Sequence, residues 1–280
     1  MRFFIPLLIF SLLLTASCKK TQVATSEVNV AQVKEITLDP SAPVWDNVSL
    51  HASKMILQDL VEPRLMEPST PDIQVKAITN GTEIAFRLEW PDATQNDMPG
   101  PKKFNDGCAV QIPAKVDPNV PAPQMGEAGK TVEISFWRAD WQAIVEGRAD
   151  NINALYPNAS IDHYPFQAKS LENDPQAQAE AALRYAPARA LGNRRAGPRD
   201  QPVEDLIAEG PSTLSPAPNA ISKGNGMKTK TGWAVVITRP VPVGFSIGTP
   251  SQIAFAVWEG SHIEIGARKM RTGWVPLILK

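Results

Sequence analysis

The stretch DIQVKAITNGTEIAFRLEWPD, residues 72–92, limits the fold more than any other part of the chain. Ile73, Val75 and Ala77 alternate with Gln74 and Lys76, and Ile84, Phe86, Leu88 and Trp90 alternate with Ala85, Arg87 and Glu89. Side chains of a strand point alternately to opposite faces, so each run buries one face. Asn80-Gly81 stands between the runs, and both residues tolerate the positive φ of a type I′ turn. The segment predicts a β-hairpin.

Further short apolar runs at 48–60, 107–113, 131–141, 232–241, 251–260 and 273–280 read as strands. The chain holds 26 prolines against 17 glycines, which favours loops and edge strands over long helices. Residues 174–191, DPQAQAEAALRYAPARAL, predict one helix, with Asp174 as its cap, Pro175 in its first turn and Pro187 at its kink or end. Polar, Pro- and Gly-rich sequence surrounds it, so about 142–230 reads as an excursion from the β-core. The expected fold is mainly β: an antiparallel β-sandwich with a helical and loop excursion.

The N-terminus carries a different signal. Met1-Arg2 precedes an apolar run from Phe3 to Leu14, too short to span a bilayer and suited to a secretory signal. Leu14-Thr15-Ala16-Ser17-Cys18 resembles a bacterial lipobox, in which Cys18 becomes the lipidated first residue. The expected organisation is a lipoprotein signal peptide at 1–17, a polar tether at 18–40 and one domain at 41–280, exported and held at the periplasmic side of a membrane by its lipid anchor. An ordinary signal peptide with a chance cysteine is the other reading.

Several chemistries are disfavoured. A net charge of −1 gives no sign of nucleic-acid binding. With Cys18 lipidated, Cys108 has no internal partner. There is no Cys-x-x-Cys-His for covalent haem, no cysteine cluster, and His51, His163 and His262 have no helical metal-binding spacing. No glycine-rich phosphate loop after a strand points to catalysis. By residue type alone, Met125 is a loop methionine packed on the sandwich and Lys269 a solvated charge; spacing does not pair them.

The ordered series EWPDAT (89–94), FNDGCAVQIP (104–113), PQMG (123–126), FWRADW (136–141), GWAVVITRP (232–240) and IAFAVWEGSHIEIGARKMRTGW (253–274) resembles the haem-b-binding γ subunits of ethylbenzene dehydrogenase and related type II molybdenum enzymes of the DMSO reductase superfamily. These include dimethyl sulfide dehydrogenase, chlorate and selenate reductases and nitrite oxidoreductase. The resemblance runs from about residue 44 to the C-terminus. It implies a β-sandwich holding one non-covalent haem b, its iron ligated by a loop Met, here Met125, and a Lys near the C-terminus, here Lys269, with Met270 as the alternative to that Lys. Trp258 and Trp274 would enclose the haem, and Arg268 would reach a propionate.

A thioether favours ferrous iron and raises the reduction potential. A lysine ligates only as the neutral amine, so burial must lower its pKa. Six-coordinate iron has no open position, which favours electron transfer over catalysis. The implied partners are the iron–sulfur β subunit and molybdopterin α subunit of a molybdoenzyme, and a periplasmic c-type cytochrome or the quinone system. Two other classes stay open: a lipid-anchored carbohydrate-binding sandwich without haem, and a haem sensor or carrier without a redox partner.

Overall fold

The computed structural model describes residues 23–150, 152–159, 173–177, 179–180, 193, 195 and 197–280. The strands are β1 (Val28–Gln32), β2 (His51–Lys54), β3 (Ile56–Leu57), β4 (Asp72–Thr79), β5 (Glu83–Pro91), β6 (Gly107–Pro113), β7 (Val132–Arg138), β8 (Val203–Ala208), β9 (Ser215–Pro216), β10 (Lys223–Lys228), β11 (Gly232–Pro240), β12 (Ser251–Trp258), β13 (Met270–Arg271) and β14 (Val275–Leu279). Two short helices, α1 (Ala139–Val145) and α2 (Ile152–Leu155), follow β7.

The strands run in the hydrogen-bonded order β10-β11-β5-β4-β1-β14-β12-β6-β7-β8-β9, with β2 on β4 and β13 between β12 and β3. This sheet folds over on itself at β12. The first half of β12 pairs with β14 (Ser251↔Leu277), and its second half pairs with β6 (Ala254↔Gln111 to Trp258↔Gly107). Two layers result, packed through one core. Val75, Phe86 and Val235 enter it from the first layer; Val110, Trp137 and Phe255 enter it from the second. Trp137 stacks edge-on against Trp90 and Trp233, with centroids 6.3 and 5.1 Å away. Each fully buried large side chain contributes about 1.5–3 kcal/mol.

The hairpin forms where its alternation predicts, as β4 and β5, paired from Gln74↔Glu89 to Thr79↔Ile84. Its turn differs from type I′. Only Gly81 takes a positive φ, at +93°, and Asn80 acts through its side chain. Asn80 Oδ1 accepts from Thr82 N at 3.0 Å and Glu83 N at 2.8 Å, an Asx turn that spans a longer loop.

Four further expectations change. The sheet is mixed, because β1 runs parallel to both β4 and β14. β1 lies inside the stretch expected to be a tether, and Val28 and Val30 are buried in the main core. Within the expected excursion, β8, β9 and β10 return to the sheet well before residue 232. Finally, the apolar run at 131–141 is a strand only to Arg138 and then turns into α1.

Asp174 caps as expected, accepting from Gln176 N at 2.9 Å and Ala177 N at 3.2 Å. Residues 175–177 and 179–180 are helical as expected, while 178 and 181–191, the leader and Cys18 lie outside the described residues.

Both outer faces are apolar. On the first layer, Ile78, Ala85 and Val236 are covered by the segment carrying Val33, Ile36, Leu38 and Trp45. On the second layer, Ala109, Val132, Ile134, Leu206 and Ala208 form a separate buried cluster, with partly buried strand and loop residues packed against it.

Candidate functional site

The outer face of the second layer gathers the residues singled out by the sequence. Met125, Phe136, Ala256, Trp258 and Trp274 pack against its apolar cluster. Lys269 joins them, with its Nζ 5.1 Å from the Trp258 ring centroid. Three alanines in this patch, Ala109, Ala208 and Ala256, keep its surface low and flat.

Strand register explains why Lys269 stands here. β13 pairs with β12 as Val257↔Met270 and Ala256↔Arg271. Residues directly opposite share a face, and neighbours along a strand alternate. Met270 therefore follows Val257 into the main core, where it is 1% exposed. Lys269 extends the register opposite Trp258, on the outer face. Met270, the alternative to that Lys, has its side chain on the other side of the sheet from Met125.

The same C-terminal strand crosses between the layers just beyond β13. Thr272 N donates to Phe255 O at 2.9 Å, and Phe255 N donates to Thr272 Oγ1 at 2.9 Å. The chain bends there, and Trp274 turns outward with its Nε1 donating to Pro121 O at 2.7 Å. That bond ties the Lys269 strand to the loop that carries Met125.

The Met125 loop is fixed at several points. Gly210 N donates to Met125 O at 2.8 Å, Gly126 N to Ala122 O at 2.9 Å, and Gln111 Nε2 to Pro123 O at 3.0 Å. Met125 has φ +67°, a left-handed conformation that is costly for an L-residue with a side chain. Gly126 follows at φ +81°, where a Cβ would stand 2.7 Å from Lys130 O and 3.0 Å from Ala208 O. A methionine that only filled space would not require this strain; the turn aims one side chain at a fixed place.

Electrostatics sharpen the site. Burial, with the Arg271 guanidinium adding to it, pushes the Lys269 amine down to about 8. No carboxylate pairs with Lys269 among the described residues. Arg271 falls on the Lys269 face by register. Arg268 sits in the turn before β13, its N donating to Ile265 O at 3.0 Å. The Nε atoms of both arginines are buried without a hydrogen-bond partner. Sequence reasoning singled out Arg268 and missed Arg271; the alternation from Lys269 to Arg271 was the available signal.

A thioether, an amine that gives up its proton readily, an apolar floor and two guanidinium groups with unpartnered nitrogens fit an anionic, flat, iron-bearing macrocycle. Aromatic rings continue from this patch: Trp258 to Phe136 at 4.8 Å, and Phe136 to Trp141 at 5.6 Å. His262 and His51 stand apart. His262 pairs with Glu259 at 2.8 Å, and His51 is buried between Thr25 O and Ser53 Oγ. His163 lies outside the described residues. Two cavities open elsewhere, one beside Trp233 and Gln142, the other beside Glu133 and Arg239.

Comparison with known proteins gives a consistent picture. A Haloferax mediterranei protein named as a respiratory nitrate reductase heme subunit is 21% identical over 84% of this chain and 66% of its own length. The chlorate reductase subunit gamma of Ideonella dechloratans is 24% identical over 70% of this chain and 59% of its own length. The chain thus spans about three fifths to two thirds of these relatives. A family 9 carbohydrate-binding module from Caldicellulosiruptor kristjanssonii aligns with a TM-score of 0.38 at 10% identity, covering 90% of this chain and 95% of its own. The profile of the ethylbenzene dehydrogenase family matches residues 42–270, most of the described body, and the chain belongs to that family.

Proposed function

We propose that this protein is a non-catalytic electron-transfer subunit that binds one haem b on the outer face of its second layer. Met125 and Lys269 would hold its iron, Trp258 and Trp274 would enclose the group, and Arg271 and Arg268 would receive its propionates. The observation that carries this reading is the convergence of Met125 and Lys269, far apart in sequence, on one apolar face. The heme and gamma subunits among its relatives support it.

When bound, the haem would supply a one-electron couple. The chain's own residues do the rest. The left-handed turn at Met125 presents its thioether without further rearrangement. Burial lowers the cost of deprotonating Lys269 Nζ, so the amine lone pair becomes available near neutral pH. The apolar cluster excludes water, which strengthens the interactions of the guanidinium groups with carboxylates.

In this role the protein would pass electrons between the iron–sulfur subunit of a molybdopterin oxidoreductase and a periplasmic c-type cytochrome or the quinone system. It would work on the periplasmic side of a membrane, anchored through lipidated Cys18. The test is spectroscopic. Purified protein should give a b-type pyridine haemochrome, and Met125→Ala and Lys269→Ala should each alter the low-spin spectrum. Protein that stays colourless with haem supplied, and instead binds a polysaccharide, would overturn the reading.

A further inference from the structure

At one end of the sandwich, three carboxylates from three strand ends meet. Asp92 follows β5, Asp106 precedes β6, and Glu259 follows β12. They are 6%, 0% and 7% exposed. One oxygen from each lies within 4.8 Å of the others. Two oxygens on one Ca²⁺, each at about 2.4 Å, stand at most about 5 Å apart, so this spacing suits a shared ion.

The surrounding hydrogen bonds favour ionised carboxylates. Asp106 Oδ1 accepts from Gly260 N at 2.9 Å, and its Oδ2 accepts from Asn96 N at 2.7 Å and Trp233 Nε1 at 3.0 Å. Glu259 accepts from Ser261 N at 3.1 Å, and its Oε2 meets His262 Nδ1 at 2.8 Å. Asp92 Oδ1 accepts from Thr94 N at 2.8 Å, with Lys228 Nζ 3.9 Å away.

The second oxygen of Asp92 is the independent sign of a ligand. Its side chain is 0% exposed, yet Oδ2 has no partner. Buried carboxylate oxygens are ordinarily satisfied, and an unsatisfied one calls for a missing ion or water. Glu264, 1% exposed, adds a fourth buried carboxyl beside them, its Oε2 accepting from Glu259 N at 3.0 Å. Lys228 beside Asp92 and the His262 ring beside Glu259 are the basic side chains that meet this group among the described residues.

We propose that Asp92, Asp106 and Glu259 bind a Ca²⁺ ion that clasps the ends of β5, β6 and β12 across the two layers. An all-oxygen donor set selects a hard cation over a softer transition metal. Glu259 also starts the segment that leads to Lys269, so the ion anchors the base of that segment. Burial raises Asp106 to about 7 and Asp92 upward as well, while the donors around Asp106 favour its charged form. A divalent cation resolves that conflict.

The test uses the purified full chain, treated with EGTA, desalted and titrated with CaCl₂ alone in a calorimeter. One Ca²⁺ per chain binds, and the melting midpoint rises by roughly 5–10 °C at a hundredfold excess over Kd. Mg²⁺ gives a smaller shift, because it prefers a tighter octahedral shell. Asp92→Asn keeps an acceptor for Thr94 and weakens Ca²⁺ binding by about tenfold or more. If that variant does not fold, Glu259→Gln carries the same comparison. Ca²⁺ that resists EGTA in the wild type, measured by atomic emission, supports the site when the variant has lost it. Folded wild type that takes up no Ca²⁺, or binding that the substitutions leave unchanged, overturns the proposal. Haem does not enter the readout, so a failure of the haem reading leaves this result standing.

Discussion

Lys269 holds its Nζ 5.1 Å from the centre of the Trp258 ring, on the sheet face that carries Met125. Its neighbour Met270 points through the sheet into the main core. The two residues should therefore respond to mutation in opposite ways. Met270→Ala should cost about 2–5 kcal/mol in denaturant unfolding through the cavity it leaves, and should leave the haem spectrum intact. Lys269→Met removes a half-buried amine with no carboxylate partner. It should leave the stability of the haem-free protein unchanged or raised, and should change the haem spectrum. A spectrum that follows Met270 instead would reverse the assignment.

The Gly126 position tests whether the Met125 turn is as tight as its contacts imply. Gly126→Ala would place a Cβ 2.7 Å from Lys130 O at a φ of +81°. A loss of about 1–3 kcal/mol is expected, together with weaker haem retention, measured by chemical unfolding and haem titration. An alanine tolerated without cost would show that the loop moves freely.

Acid should weaken the junction between the N-terminal segment and β2. His51 is 4% exposed, and burial holds its pKa below the usual histidine value. A histidine protonated more readily in the unfolded chain contributes stability that is present above about pH 6.5 and is lost as pH falls toward its folded pKa. His51→Gln should flatten the pH dependence of the melting temperature across that window. An unchanged slope in the variant would assign the acid sensitivity to another group.

Cys108 should be inert in the native state. It is 0% exposed, and burial raises its thiol pKa well above the ordinary value. A thiol-specific reagent followed by peptide mass mapping should leave Cys108 unmodified until denaturant is added. Modification in native buffer at the rate of a free thiol would mean that the core opens readily.

Local sequence gave some elements clearly and others not at all. Alternating apolar residues marked β4 and β5, because the large side chains of each strand enter one core and print a period of two; β12 showed as an unbroken apolar run. β10 left no such print. Its sequence KGNGMK looks like a loop, yet a Cβ on Gly224 would fall 2.4 Å from Val203 Cγ2 and one on Gly226 2.3 Å from the Trp137 ring, so only glycine fits at either position. β1 was hidden for another reason. VNVAQ is short, and only pairing with strands from distant parts of the chain reveals it. The carboxylate triad was equally invisible, since Asp92, Asp106 and Glu259 are brought together only by the ends of three strands.

The sequence by itself determined that this chain builds a β-rich body, and its ordered motifs pointed to the ethylbenzene dehydrogenase family. It named Met125 and Lys269 as candidates and kept Met270 as the fallback to that Lys, because two adjacent residues in an unassigned stretch carry no facing. Only the tertiary structure gave each of the two its face. Pairing of Val257 with Met270 fixes the register of β13, and a one-residue difference along a strand sends a side chain to the opposite face. The same register sets Arg271 beside Lys269, and the crossing of the C-terminal strand between layers brings Trp274 to the Met125 loop. The facing of β13 and the placing of Trp274 are consequences of long-range pairing, which no local pattern of residues encodes.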